Sequence, residues 1–183
     1  FLNLVEYLGL SSEIVPAEIA PTEKFDLHST GVTLQEGGIV AVHDSTSGHQ
    51  YVLGANVYQL GIVRRKLKIE SFQDNHWMMV GVTKGDVVPQ NDQSYGWPGS
   101  YGWALGNSGQ VWNNGSNNIN ESTLVNLTKQ GDTVELVLDC DAAKLSLNLP
   151  SSHQFHINLP KSQTWKLNVN LYGANDKICI MPA

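Results

Sequence analysis

Histidine is the first residue type in this sequence that could do chemistry, because its ring can bind a metal or exchange a proton near neutral pH. His153 and His156 are three residues apart, and His43 and His49 flank one short polar segment. A zinc site would also need cysteine or carboxylate ligands at close spacing, and neither pair is accompanied by such a set. We therefore expect solvent-exposed histidines and no metal site.

Two aspartates, Asp139 and Asp141, bracket a predicted hairpin turn. In a turn, an aspartate side chain commonly hydrogen-bonds its own backbone. A calcium loop would require more oxygen ligands at alternating positions and a glycine after them, whereas Ala142 and Ala143 follow here. The two aspartates are predicted to shape the turn and to bind no ion.

The usual signatures of catalysis are missing from the sequence. It contains no Gly-x-Ser-x-Gly motif and no phosphate-binding loop that ends in Gly-Lys-Ser or Gly-Lys-Thr. It also has no strand with two or three acids on one face, as glycosidase sandwiches carry. Cys140 and Cys179 lie in apolar strand patterns, where a thiol is inert. We predict a protein that is not an enzyme, needs no cofactor and resides in the reducing, cytoplasmic compartment.

Aromatic side chains form the one cluster that is typical of a binding site. The segment 93–115 holds three of the five tryptophans and two of the six tyrosines. Its glycines exclude a helix, because each costs about 1 kcal/mol there relative to alanine. Trp103 alternates with Tyr101 and Leu105 as residues of a strand do, so we assign these three side chains to the core.

Tyr95 and Trp97 precede this strand, in a polar loop over 84–100. Compact domains rarely keep so long a loop without a functional reason. Aromatic side chains that a rigid scaffold holds on a loop give a large contact area at small entropic cost. We predict that both rings are exposed and contact a partner. An alternative, in which Trp97 folds back to cap one end of the domain, stays open.

Strands are the elements that must position these residues. In the segment 132–139, apolar Val134, Leu136 and Leu138 alternate with polar neighbours. The same alternation recurs at 145–149, 155–159 and 167–171, and the apolar run 178–181 is expected to form the last strand. Only 15% of the residues are charged, so Asn, Gln, Ser, Thr and Gly make most of the polar surface, as is usual for strands. Short strands at this spacing predict an all-β fold, an antiparallel β-sandwich of two sheets.

One short helix is expected, at the N-terminus. The segment 1–10 places apolar residues at helical spacing, and two prolines in the next stretch indicate a connector. We predict a helix and connector over residues 1–24 and one sandwich domain over residues 25–183. Since the sequence does not begin with methionine, we expect it to be part of a larger, multidomain protein.

Charge and hydropathy limit the classes of partner. The formal net charge of -6 argues against nucleic acid, and the one basic run, 64–68, alternates with apolar residues as the wet face of a strand. No apolar run approaches the ~20 residues of a membrane span, so we expect no membrane partner. Glycosylation sequons at Asn114, Asn120 and Asn126 keep an extracellular alternative open.

Three blocks, in a fixed order, resemble the SPRY domain family. They are WMMVGV at 77–82, YGWALG at 101–106, and GDTV, LVLD and LSL within 131–147. The resemblance covers residues 25–181 and implies a bent β-sandwich of two antiparallel sheets with no catalytic centre. It also implies a surface of loops, at one edge, that binds a protein or peptide. Tripartite-motif ubiquitin ligases and SOCS-box adaptors belong to the family, and we assign no subfamily.

In the members that this sequence resembles, three segments meet at the binding edge. The matching residues are His43, Asp44 and Ser45, then Tyr95, Gly96 and Trp97, and finally Tyr172 and Gly173. Tyr172 is expected to be exposed, because it continues the face of Lys166, Asn168 and Asn170 where a strand ends.

Two functions follow from these residues, in different classes. The first is a protein–protein interaction module that binds a protein or peptide ligand, as the substrate-recognition domain of a ubiquitin ligase or adaptor. The alternative is a carbohydrate-binding, lectin-like β-sandwich. In that alternative, Trp97 stacks on a sugar while polar side chains bond its hydroxyl groups, namely those of Asn91, Gln93 and Asn113.

Overall fold

The computed structural model describes residues 22–182, which form two β-sheets joined by loops and short turns. The predicted N-terminal helix at 1–10 lies outside the described residues. In chain order the strands are β1 (Phe25–His28), β2 (Val32–Gln35), β3 (Val40–His43), β4 (Gln50–Gly54), β5 (Ile62–Ser71), β6 (Trp77–Lys84), β7 (Ser100–Gly106), β8 (Gln110–Asn113), β9 (Ser116–Asn120), β10 (Thr133–Asp139), β11 (Lys144–Asn148), β12 (Gln154–Asn158), β13 (Trp165–Leu171) and β14 (Lys177–Ile180). Short 3-10 helices occupy Glu36–Gly38, Gln73–Asn75, Ser94–Gly96 and Ser122–Leu124. Among residues 22–182 we find no helix of the length and hydropathy that crossing a membrane requires.

Both sheets contain seven strands, and their strand pairings are antiparallel. Sheet A has the order β1-β4-β13-β6-β7-β8-β9. Sheet B has the order β12-β11-β10-β5-β14-β3-β2. Each sheet therefore mixes strands from both halves of the chain, so neither half forms a sheet alone. The predicted all-β sandwich of two antiparallel sheets is confirmed.

Alternation along the strands produces the core. On β10, Val134, Leu136 and Leu138 are at most 3% exposed, while the residues between them are only partly buried. Tyr101 and Trp103 of β7 belong to the same core, as predicted. Complete burial of a large apolar side chain contributes about 1.5–3 kcal/mol, so this layer of side chains holds the two sheets face to face.

Between β4 and β5, one isolated bridge joins Tyr58 to Trp165. The Tyr58 hydroxyl lies between two charged groups. Arg65 Nε donates to it at 3.0 Å, and it bonds the Glu23 carboxylate. Burial and the Glu23 carboxylate raise the pKa of Tyr58 to about 12, so this group stays a neutral phenol.

Sheet A is covered on its outer face as well. Met78, Val80 and Val82 of β6 lie in the core between the sheets. Trp77 and Met79 point the other way and are also buried, within a second cluster of apolar side chains. β6 is therefore buried on both faces. The cover is the long loop between β6 and β7, residues 85–99.

Two asparagines of β13 fasten this loop from beneath. Asn170 Nδ2 donates to the Asp92 carbonyl at 2.8 Å and to Ser94 Oγ at 3.1 Å. Asn168 Nδ2 donates to the Ser94 carbonyl at 3.3 Å. Both asparagines are fully buried, so the expectation of a solvent-facing row on β13 is wrong. The amides satisfy loop groups that would otherwise be buried without hydrogen bonds.

The middle of sheet A depends on a pair of glycines. Gly81 of β6 and Gly102 of β7 lie opposite each other, where the two backbones approach closely. A Cβ atom at Gly81 would overlap the Tyr101 carbonyl oxygen and lie 2.7 Å from Gly102 Cα. A Cβ atom at Gly102 would overlap the Val80 carbonyl oxygen. Glycine at both positions lets β6 and β7 pair without a clash.

Candidate functional site

Five strands of sheet A begin or end at one edge of the sandwich. The register pairs Gln50, at the start of β4, with Leu171, at the end of β13, and Leu171 in turn with Met78. Trp77, the first residue of β6, pairs with Gly106, the last residue of β7. Because neighbouring strands run antiparallel, the segments that enter β4, β6 and β8 meet those that leave β13 and β7.

A cavity of about 440 Å³ opens at this edge, and we term it the aromatic pocket. Its walls come from the segments before β4, β6 and β8, after β13, and from the 3-10 turn of the long loop. The residues that line it are His49, His76, Trp77, Tyr95, Asn107, Ser108, Gln110, Trp112 and Tyr172. None of these is an acid, a lysine or an arginine, so the wall is uncharged wherever its histidines are neutral.

His49 lies at the centre of the rings. Its centroid is 4.8 Å from those of Trp77, Tyr95 and Tyr172. Tyr95 continues the chain of contacts to Trp112, at 4.5 Å. The ring planes meet at angles between 51° and 79°, and tilted aromatic pairs contribute about 0.5–1.5 kcal/mol each beyond their burial. The rings are thus held by one another as well as by the sheet.

The hydrogen bond between His49 and Asn170 determines which nitrogen of the histidine ring carries the hydrogen. Asn170 Nδ2 donates to the carbonyl of Asp92, so the Asn170 amide oxygen faces His49 Nδ1, at 3.0 Å. Nδ1 must then carry the hydrogen, and Nε2 of the neutral ring keeps a free lone pair. Burial lowers the pKa of His49 from its ordinary 6.5, against the opposing effect of the Asn170 bond. The ring is therefore neutral at neutral pH, and it offers an acceptor, Nε2, on the side away from Asn170.

The indole groups of Trp77 and Trp112 border the pocket and differ in their hydrogen bonding. Trp77 Nε1 donates to Gln110 Oε1 at 2.9 Å, which fixes both side chains. Trp112 Nε1 is buried and has no acceptor among the residues that the structure describes. An unpaired buried donor costs about 1–3 kcal/mol, so this N–H is a group that a bound ligand can satisfy.

A buried carboxylate holds the segment after β13 against the segment before β6. Asp176 is 1% exposed and accepts the backbone N–H groups of Gln73, at 2.7 Å, and Gly173, at 2.9 Å. Burial raises the pKa of Asp176, although these two hydrogen bonds oppose the change. The hydrogen bonds place Tyr172 beside the segment that carries His76, and the two rings lie 5.7 Å apart.

Hydrogen bonds also join the loop before β4 to the segment after β13. His43 is 1% exposed, and its ring contacts the carbonyl oxygens of Asp44 and Gly48. Its backbone N–H donates to the Asp176 carbonyl at 2.8 Å. Gly48 donates to the Tyr172 carbonyl at 2.9 Å. His43 therefore shapes the loop from within, and the expectation that it lies on the surface is wrong.

The structure brings together only some of the residues that the sequence suggested for the site. Tyr95 and Tyr172 line the aromatic pocket and are partly buried. Asp44 and Ser45 are exposed on the loop before β4, Gly96 is exposed beside Tyr95, and Gly173 is buried. Four rings of the pocket were missed, namely those of His49, His76, Trp77 and Trp112. The signal for three of them is their position, because Trp77 is the first residue of β6 and His49 and His76 each immediately precede a strand.

Trp97 is buried, contrary to the prediction that its ring is exposed. Its side chain is 1% exposed and packs against Tyr51 of β4, with ring centroids 5.0 Å apart. Its Nε1 donates to Asn91 Oδ1 at 3.1 Å. The expectation of an exposed Trp97 is wrong, because the apolar outer face of β4 offers it a place beneath the loop. Trp97 instead folds back onto the sandwich, as the alternative proposed. Because its ring is buried and bonded to Asn91, these two side chains cannot bind a sugar as the lectin alternative requires.

The unfolding free energy is expected to decrease as the pH falls below the ordinary His49 value of 6.5. Because the pKa of His49 is lower in the folded chain, the unfolded chain binds more protons between the two values, and acid favours unfolding. The other titratable rings around His49 are those of His43, His76, Tyr95 and Tyr172. Urea unfolding at neutral pH and at about pH 5, for the natural chain and for His49→Asn, measures this contribution.

The matched control is His153→Asn, since His153 is an exposed histidine next to β12 of sheet B. We expect a smaller loss of stability on acidification in His49→Asn than in the natural chain, and an unchanged loss in His153→Asn. Equal pH dependence in all three proteins would contradict the buried, neutral state of His49.

The likeness of this chain to known proteins lies in its fold. No protein-family profile matches the sequence, and no curated protein matches it. Solved structures do. The SPRY domain of human HERC1 superposes with a TM-score of 0.66 at 20% identity, over 85% of this chain and 96% of that one. The TRIM65 PSpry domain superposes with a TM-score of 0.67 at 16% identity, over 89% of this chain and 93% of that one.

Two antiparallel sheets packed face to face, with a pocket at the strand ends of one of them, define the chain as a β-sandwich. More specifically, its fold is that of the SPRY domain. The resemblance seen at 77–82, 101–106 and 131–147 is thereby confirmed at the level of the fold. These segments contain β10 and most of β6, β7 and β11, which are framework strands.

Proposed function

We propose that this domain is a non-catalytic protein-interaction module that binds a peptide segment of its partner in the aromatic pocket. The observation that carries the proposal is the convergence of six aromatic or imidazole rings around one open cavity, at an edge where five strands begin or end. The SPRY fold supports the same conclusion.

Size and composition of the pocket fit a peptide. A cavity of about 440 Å³ falls in the range that binds small ligands and accommodates one or two side chains. Its rings are held by neighbours, so contact with a partner orders few rotatable bonds. The amide and hydroxyl groups of Asn107, Ser108 and Gln110 lie beside the rings, where they can hydrogen-bond a peptide backbone.

The finer role that we propose is substrate recognition for a ubiquitin ligase or adaptor, in which this domain is one part of a multidomain chain. This role rests on the family resemblance of the sequence. A cytoplasmic location accords with Cys140 and Cys179, which are free thiols and would stay reduced there.

Truncation of either tyrosine in the pocket is expected to weaken peptide binding. Hot-spot aromatic side chains cost more than about 1 kcal/mol on replacement by alanine, so Tyr95→Ala and Tyr172→Ala should each raise the Kd at least about fivefold. Peptides selected from a random displayed library, then measured by fluorescence polarisation, supply the ligand. The control is His153→Ala, an exposed ring beside sheet B, for which we expect no change. Folded tyrosine variants that bind with an unchanged Kd would overturn the site.

A second candidate function, carbohydrate binding, is favoured by one observation. Trp77 and Trp112 lie beside the amides of Asn107 and Gln110, a combination that can stack on a sugar ring and bond its hydroxyl groups. A glycan array and a displayed peptide library distinguish the two functions. Glycan binding that Tyr95→Ala abolishes, together with no peptide selected, would replace the peptide proposal.

A further inference from the structure

The segments that build the aromatic pocket carry charge of one sign. These are residues 43–50, 73–77, 90–97, 107–113 and 172–176, and they contain four aspartates but no lysine or arginine. Asp44, Asp74 and Asp92 are exposed. Among the described residues, none of these three has a lysine or arginine as an ion-pair partner. The edge that bears the pocket therefore presents a negative potential to an approaching partner.

The pocket itself also favours a cation. The π-face of an aromatic ring is negative and attracts a cation within about 6 Å of the ring centroid, most strongly when water is excluded. Trp77, Tyr95, Trp112 and Tyr172 supply such rings around one cavity. Neither lysine nor arginine lines the pocket, and burial lowers the pKa of His49, so this central ring adds no positive charge at neutral pH.

Hydrogen bonding limits the kinds of cation that the pocket can bind. Nε2 of His49 keeps a lone pair in the middle of the rings, since Nδ1 is committed to Asn170. That lone pair accepts a hydrogen bond only from a ligand that carries N–H groups, which a fully methylated ammonium lacks. A guanidinium group has five N–H donors, stacks flat on aromatic rings and is less strongly hydrated than an ammonium group. It therefore leaves water for an uncharged aromatic wall more readily than lysine does.

We propose that the aromatic pocket receives an arginine side chain of the partner, whose guanidinium lies among the rings and donates to His49 Nε2. The inference rests on the proposed peptide-binding function and names the chemistry that the site selects. The peptide backbone beside this arginine offers carbonyl oxygens, and one of them satisfies the buried Trp112 N–H. The exposed aspartates act at longer range, by attracting a basic segment to the edge.

The test compares peptides that differ in one side chain. A peptide selected on the 183-residue chain is synthesised with arginine, citrulline, lysine or trimethyl-lysine at the same position. Citrulline keeps the shape and most N–H groups of arginine but has no charge. We expect the exchange of arginine for citrulline to raise the Kd about tenfold or more, and the exchange for lysine to raise it by less. Binding of the arginine peptide should also weaken as salt is added, while that of the citrulline peptide should not.

A protein variant tests the charge independently. Asp74→Asn/Asp92→Asn removes two exposed charges and keeps the Asp92 backbone carbonyl that accepts the Asn170 hydrogen bond. Because exposed charges interact only weakly through water, the double variant should raise the Kd of the arginine peptide about twofold to tenfold. The Kd of the citrulline peptide should stay the same. The matched control is Asp26→Asn/Asp141→Asn, two exposed aspartates away from the pocket segments, for which neither Kd should change.

The possible results separate this inference from the proposed function. Peptides that depend on Tyr95 but bind equally with citrulline would overturn the arginine proposal and leave the peptide site intact. Tighter binding of trimethyl-lysine than of arginine would also overturn it, in favour of a quaternary ammonium ligand. Selected peptides that are acidic or lack arginine would do the same. Binding that is indifferent to Tyr95→Ala and Tyr172→Ala would instead overturn the site itself.

Discussion

Replacement of Trp97 by alanine is expected to lower the free energy of unfolding by about 3–5 kcal/mol, the range for large aromatic side chains in a packed interior. The ring is 1% exposed, lies against Tyr51 and Leu53 on the outer face of β4, and bonds Asn91. Its removal leaves a cavity between the sheet and the loop 85–99, and it takes away the apolar anchor of that loop. Urea or guanidinium unfolding, followed by fluorescence or circular dichroism, measures the loss.

Two variants sharpen this experiment. Trp97→Phe keeps an aromatic ring but not the N–H, so it should cost less than the alanine variant. Trp112→Ala removes the same side chain from a partly buried position whose indole N–H has no acceptor among residues 22–182, and it should cost clearly less than Trp97→Ala. If Trp97→Ala lowers stability no more than Trp112→Ala, the anchoring role of Trp97 is wrong.

Gly81→Ala is the second large change, and its effect is expected to come from the backbone. The added methyl group would overlap the Tyr101 carbonyl oxygen and approach Gly102 Cα to 2.7 Å. Overpacking typically costs 1–3 kcal/mol. Here the obstructing atoms belong to the paired backbone of β7, which no rotamer change can move. We therefore expect a loss of about 3 kcal/mol or more, or failure to fold, with β6 and β7 forced apart in the middle of sheet A.

The same substitution at Gly96 is the control. A Cβ atom there would meet nothing closer than 4.0 Å, and its φ is not in the left-handed region. Gly96→Ala should thus change stability by less than about 1 kcal/mol, because alanine differs from glycine mainly in the unfolded chain at such positions. A Gly81→Ala protein as stable as Gly96→Ala would refute the steric account of the β6–β7 pair.

Much of the framework could be predicted from the sequence, because alternation directly reflects which side of a strand is buried. Val134, Leu136 and Leu138 show this on β10, and Trp103 shows it on β7. The same rule failed on β13. Asn168 and Asn170 alternate with apolar residues as solvent-facing residues do, yet both are fully buried beneath a loop. Alternation separates the two faces of a strand, but it does not say what covers the polar one.

The site was only partly predictable, for a related physical reason. Tyr95 and Trp97 are two residues apart in the same polar loop, and nothing local distinguishes the ring that lines the pocket from the ring that anchors the loop. His43 and His49 pose the same problem at the two ends of one turn. Their difference comes from partners far along the chain, such as Asn170 for His49, and these become known only with the register of sheet A.

The anchoring of the long loop has a consequence for the kinetics of association. Asn168, Asn170 and Trp97 hold the loop from below, so the wall that Tyr95 provides exists before a partner arrives. A partner then meets a formed surface and orders little of the domain on binding. Association rates for partners of equal charge should therefore lie close together, and a strong ligand should differ from a weak one mainly in its dissociation rate.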